Sequence, residues 1–216
     1  MATSEGPGGR RGTPQDGWDP LAGADLRLRR RVRTKTQVQA EALALFVEKG
    51  YEQTSVEDIA DAAAISPRTF YRYFSSKEDV VLWDAYDDLP PAQLLDARPG
   101  EDPFTLMTRR LRAVTQELHA HDRETYLLRA QLSYRVPEIR AQFVNRILDR
   151  LEPFYRQLET SLGRDLDDVR VTVPLAAAFA AMVVAVERWQ RHGGTESLPH
   201  LVDEAFSALG GLSPGP

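Results

Sequence analysis

"TSVEDIADAAAISPRTFYRYF", Thr54 to Phe74, contains two helix starts close together. Thr54 is a capping residue, with Glu57 three positions on as its capping-box partner. Val56, Ile59, Ala60 and Ala63 then fall on one apolar stripe. After the short connection Ala64-Ile65, Ser66 caps again and Pro67 takes the first helical position. Phe70 and Phe74 are four apart, so they share a face, and we expect them buried against Val56, Ile59 and Phe46. The same helix then turns Arg68, Thr69, Tyr71, Arg72 and Tyr73 outward.

The flanking sequence fits this reading. A helix from Arg27 carries Val38, Ala42, Leu45 and Phe46 on one face and closes at Lys49-Gly50. Ser75, with Glu78 at the capping-box position, opens a fourth helix that points Val81 and Leu82 inward. Two short helices across a tight turn, supported by a preceding helix, form a helix-turn-helix.

Hydroxyls of Thr and Tyr bond phosphate oxygens, and Arg bonds phosphate or a guanine edge through paired donors. A short helix of this kind fits a major groove. Ser55 offers a hydroxyl and an amide to a phosphate at a helix start. Lys77 stands at the N-terminal end of the fourth helix, where the dipole disfavours a cation and an external anion would account for it. Arg27, Arg29, Arg30, Arg31, Arg33 and Lys35 form a run without acids that can follow a backbone or enter a minor groove, and Arg33 counts among the candidate contacts. Any one exposed Arg or Tyr is usually solvated surface. The conjunction of caps, turn, helix lengths and residue types carries the reading.

The 216-residue chain has 42% hydrophobic and 27% charged residues, as in soluble globular proteins. Its net charge of -5 hides the basic run, because acids dominate after Trp83. The absence of cysteine excludes disulfides and thiolate metal sites. No apolar run approaches the ~20 residues of a membrane span, and the start lacks a signal-peptide core, so a cytoplasmic protein without membrane partners is expected. No G-x-G-x-x-G, P-loop, G-x-S-x-G or H-E-x-x-H occurs, and His119, His121, His192 and His200 are scattered, so neither an enzyme, a metal nor a cofactor is expected.

The remainder reads as long helices, giving an all-α fold. Phe104, Met107, Leu111, Val114 and Leu118 are spaced three and four apart. Asp122 caps a segment with Leu127, Leu128, Leu132 and Tyr134. Pro137 opens another with Ile139, Phe143, Ile147, Leu151, Phe154, Leu158 and Leu162, and Pro153 should kink it. Leu175, Phe179, Met182, Val186 and Trp189 follow a heptad-like stripe that ends at Gly193-Gly194, and Leu198 to Leu209 makes a last helix. The domains expected are a disordered tail over 1–25, a helix-turn-helix domain over 26–82 and a helical domain over 83–216.

The run "TSVEDIADAAAISPRTFYRYFSSKEDVV" resembles the DNA-binding domain of TetR-family transcriptional regulators, over about Arg33 to Leu82. The resemblance implies recognition-helix roles for Arg68, Thr69, Tyr71, Arg72 and Tyr73, and phosphate contacts for Ser55 and Lys77. The sequence departs from the family at three positions. Ala64 stands where the turn usually has glycine, which costs about 1 kcal/mol if that position needs positive φ. Tyr73 stands where histidine is common, and Phe70 replaces leucine.

The resemblance further implies a repressor that binds a palindromic operator in double-stranded DNA as a homodimer and is released by a small-molecule effector. "SPRTFYRYF" is similar to an actinobacterial subgroup that includes regulators responding to acyl-CoA esters, so a small hydrophobic or acyl-type ligand is expected. Candidate pocket residues are Phe104, Met107, Leu111, Leu128, Gln131, Leu132, Phe143, Ile147 and Val183, with Arg129, Arg135 and Arg188 expected at the surface. Candidate dimer residues are Leu175, Phe179, Met182, Val186, Trp189, Leu201 and Phe206, although the same stripe would serve equally as the core of one chain. The competing reading is an all-α small-molecule-binding or scaffold protein without DNA activity, which leaves Ser66 to Lys77 unexplained.

Overall fold

The structure, a computed structural model, describes residues 25–89, 98, 100–163, 165 and 167–210, without the side chains of 121, 147, 148 and 150–154. These residues form helices α1 (Leu26–Glu48), α2 (Val56–Ala62), α3 (Pro67–Tyr73) and α4 (Lys77–Leu82), then a 3-10 turn (Ala85–Asp88). Next come α5 (Pro103–His121), α6 (Arg123–Arg135), α7 (Pro137–Leu162), α8 (Val169–Arg191) and α9 (Leu198–Gly210). No strand occurs among the described residues, and the fold is all-α as expected. The expected tail lies outside them except for Asp25, whose carboxylate accepts from the Leu28 amide at 2.7 Å and caps α1.

Two caps sit one residue later than the sequence suggests. Ser55, not Thr54, caps α2, and its box partner is Asp58 rather than Glu57. The Asp58 amide donates to Ser55 Oγ at 3.0 Å and the Ser55 amide donates to Asp58 Oδ2 at 2.9 Å. Thr54 is buried instead and donates its hydroxyl to the Gly50 carbonyl at 2.8 Å. Likewise Ser76, not Ser75, caps α4, with the Asp79 amide donating to its Oγ at 3.2 Å. Each start offers two adjacent hydroxyl residues and two adjacent acids, so spacing alone fits both registers. Ser66 caps α3 as expected, with Pro67 in its first turn.

The chain packs around two cores. The first joins Val38, Ala42, Phe46, Ile59, Ala60, Phe70, Phe74 and Val80 of α1–α4 with Trp83 beyond α4 and Ile139 of α7. The second joins Leu106, Met107, Leu158, Leu175, Ala178, Trp189, Leu198, Leu201, Val202 and Phe206. Each large side chain removed from water contributes roughly 1.5–3 kcal/mol before entropy is subtracted. Helix α7 is continuous through Pro153. Helix α8 begins at Val169, where the Asp168 carboxylate accepts from the Arg170 amide at 2.9 Å, and it admits Pro174 in its interior. After α8 the chain turns at Gly194, φ +70°, where a Cβ would come within 2.8 Å of Leu127 Cδ2, so only glycine fits.

The stripe offered as a dimer face does other work. Leu175 and Trp189 are fully buried, and Val186, Leu201 and Phe206 are buried with them, joining α8 to α9 and α5 within one chain. Phe179 and Met182 are half-buried at its margin. The reason is that α8 is apolar on both faces. Its other face exposes Val169, Val173 and Val184, at 66%, 61% and 60%. The chain therefore does hold one apolar run of membrane-span length, with a mean hydropathy of 2.1, and that run is a helix of the second core.

Candidate nucleic-acid interface

Helix α3 is fastened from below by its two phenylalanines. Phe70 is fully buried and Phe74 nearly so, their rings 5.7 Å apart, and Phe74 meets the Trp83 ring edge-on at 6.0 Å. Arg68, Tyr71 and Arg72 stand exposed above them, with Tyr71 56% exposed. Thr69 and Tyr73 are half-buried behind this front. Thr69 Oγ1 lies 2.9 Å from Ser66 Oγ. The Tyr73 ring packs on the first core and lies 5.0 Å below the Arg72 guanidinium, bracing it in a cation–π contact. The turn before α3 contains Ala64 at φ +54°, so the conditional strain read from sequence applies, at about 1 kcal/mol.

Two expected phosphate contacts are already engaged inside the chain. Ser55 donates its hydroxyl to Asp58 Oδ2 at 2.5 Å as well as its amide at 2.9 Å. These bonds, helped by Lys49, hold the Asp58 carboxyl at about 2. Lys77 donates to the Tyr51 carbonyl at 3.0 Å and the Thr54 carbonyl at 3.3 Å, and lies 4.2 Å from the Tyr51 ring. That nest accounts for a cation at a helix N-terminus without an external anion, and two of its three donors are used.

The basic run of α1 also divides. Arg31 and Lys35 both pair with Asp88, at 2.9 and 3.0 Å, and Lys35 is buried against the Phe74 and Trp83 rings. Arg27, Arg29, Arg30 and Arg33 are exposed and make no ion pair among the described residues.

Behind the interface, the turn after α4 ties three helices together. Asp84 pairs with Arg129 of α6 at 3.2 Å, Asp87 pairs with Arg146 of α7, and Asp88 pairs with α1. Arg129 also donates through Nε to the Val81 carbonyl at 2.8 Å, and so caps the negative end of α4. Arg146 reaches back to Asp79 at 2.6 Å. Gln39 donates to the carbonyls of Val80 and Trp83 at 2.7 and 2.8 Å. Arg129, expected at the surface, is buried, because these carbonyls and Asp84 satisfy its donors. Arg135 and Arg188 are exposed, the latter paired with Glu196 at 3.0 Å.

The candidate pocket residues divide between the cores. Leu128 and Leu132 pack on the first, and Phe104, Met107 and Leu111 on the second. Gln131 and Phe143 are half-buried, as is Val183, whose carbonyl accepts from the Tyr134 hydroxyl at 3.1 Å. The Ile147 side chain lies outside the described residues. A cleft of about 230 Å³ opens elsewhere, between α1, the 3-10 turn, α5 and α6, with Thr36, Gln39 and Leu118 in its walls. Sequence reading missed it because its walls come from four separate segments. The one signal was the acid-rich "DAYDD" following α4.

Residues 40–82 match the family of bacterial regulatory proteins called tetR, and residues 101–213 match the MftR C-terminal domain. The HTH-type transcriptional regulator TcmR of Streptomyces glaucescens is 36% identical over 201 residues, 89% of this chain and 88% of that one. The chain belongs to the TetR family. It is a DNA-binding transcriptional regulator and not an enzyme. Solved structures share the TetR-family fold. The fatty acid degradation regulator FadR from Bacillus halodurans superposes with a TM-score of 0.54 at 22% identity, covering 83% of this chain and 99% of that one. FadR of Thermus thermophilus, solved in complex with lauroyl-CoA, superposes at 0.51 and 20% identity, covering 84% and 98%.

Proposed function

We propose that this chain is a ligand-responsive repressor in the cytoplasm that binds a palindromic operator as a homodimer and releases it when a small hydrophobic or acyl-type effector binds. The observation that carries the reading is the α3 surface: Arg68, Tyr71 and Arg72 are exposed on a helix pinned by the buried Phe70 and Phe74. Arg68 and Arg72 read base edges or phosphate, Tyr71 bonds phosphate, and Arg33 adds charge along the backbone. Thr69 and Tyr73 hold this front, and Lys77 offers its remaining donor to a phosphate. Ser55 joins only when Asp58 gives up its hydroxyl.

Two-fold pairing doubles the contact on a palindrome. The exposed Val169, Val173 and Val184 face of α8 is the surface for it, in place of the stripe buried in the second core. The acyl-type effector draws support from the lauroyl-CoA in the related FadR complex. Ligand control requires that operator-bound and released states differ in ligand affinity.

Footprinting on DNA upstream of the protein's own gene, across a salt series, tests the reading. A protected palindrome is expected, weakened in Arg68→Ala and Tyr71→Ala. A full-length folded protein that protects no site, or variants that bind as well as the parent, would sink it.

A further inference from the structure

The cleft behind α4 has a chemistry of its own. Asp84, Glu117 and Asp122 stand in its walls against Arg129 alone, a formal charge of -2 among otherwise neutral residues. Trp83 and Tyr86 add aromatic surface. The field is felt locally: burial, then the Asp84 and Glu117 carboxylates, push the Tyr86 phenol well above its usual value. Trp83 is nearly buried, with Lys35 Nζ already 5.1 Å from its ring, so cation and aromatic group meet beside the cleft without any ligand. Arg129 shows what the wall accepts, a flat cation against Asp84 at 3.2 Å and 6.0 Å from the Tyr126 ring.

We propose that this cleft binds a small aromatic monocation, and that the bound cation competes with Arg129 for Asp84. The inference rests on the reading of the chain as a ligand-responsive repressor and assigns this cleft a ligand class opposite in charge to an acyl thioester. Phosphates of such a thioester are repelled by the carboxylates, whereas a cation gains both Coulomb attraction and contact with the rings. Arg129 holds the Val81 carbonyl and Asp84 together, so displacing it from Asp84 loosens the end of α4. Helix α4 packs against α1 and α7, so the change reaches the DNA-binding unit through packed helices.

Calorimetric titration of the full chain tests this with benzyltrimethylammonium, a permanent cation that the cleft can hold, and 2-methyl-1-phenyl-2-propanol, its neutral counterpart of equal size. The cation is expected to bind about tenfold more tightly than the alcohol, and Glu117→Gln with Asp122→Asn to erase that preference. These two changes leave Asp84–Arg129 intact, and an unchanged Tm shows that the variant is folded. Equal binding of cation and alcohol, or a preference that survives the double substitution, overturns the proposal. Saturating cation is expected to weaken operator binding, and unchanged operator affinity overturns the link through Arg129. A chain that binds no operator at all counts against the proposed function, while the titration still decides the cleft. Lauroyl-CoA that binds and releases the operator, with no cation binding, supports the acyl-type reading and rejects this one.

Discussion

At the scale of single residues, the sequence separated the aromatic excess of "SPRTFYRYF" correctly for Phe70 and Phe74. Spacing of four on a helix leaves one face for both. Truncating Phe74 to alanine is expected to cost about 3–5 kcal/mol, read from urea unfolding. Ala64 gives the opposite sign. Its φ of +54° is strained for any side chain, so Ala64→Gly should stabilise the chain by about 1 kcal/mol, and no gain would mean the turn relaxes in solution. What the sequence did not show was the bracing of Arg72 by Tyr73, or the capture of both Ser55 donors by Asp58, because alternation of exposed and buried positions says nothing of side-chain partners.

At the scale of elements, helix types and order were legible because periodicity and capping residues are local. The clasp behind α4 was not, since Asp84 and Arg129 lie 45 residues apart and Arg146 lies 67 from Asp79. Arg129→Gln removes the charge opposite a largely buried Asp84 and should cost about 3 kcal/mol by urea unfolding, where a surface pair would cost under 1. Asp88 sets a pH dependence. Burial pushes its carboxyl up, but hydrogen bonds from Lys35 and Trp83 and the charges of Lys35 and Arg31 hold it lower than usual. A folded value below the unfolded one stabilises the chain above the unfolded value of about 4, and the effect is lost as pH falls through the folded value. Asp58, at about 2, acts in the same direction. The Tm should hold steady from neutral pH to about 5 and fall below about 4, with a shallower fall in Asp88→Asn.

At the scale of the whole molecule, the apolar stripe of α8 was legible but its destination was not. A helix that is apolar all round has one face for its own core and another for something outside, and the sequence does not say which face is which. Val173→Glu or Val184→Glu should therefore yield monomers in sedimentation and lose operator affinity while keeping the fold, since both side chains are more than half exposed. A dimer that survives both would move the interface elsewhere. The buried Trp83 carries a different consequence, for excision. Its ring meets Phe74 and its indole N–H donates to Asp88 at 2.8 Å, so a fragment ending at Leu82 would lose a wall of its own core and the acid that neutralises Lys35. The DNA-reading unit is thus not a detachable head: grafted onto another protein, it must bring the acidic turn with it, and would still lack the Ile139 and Arg129 that its neighbour supplies.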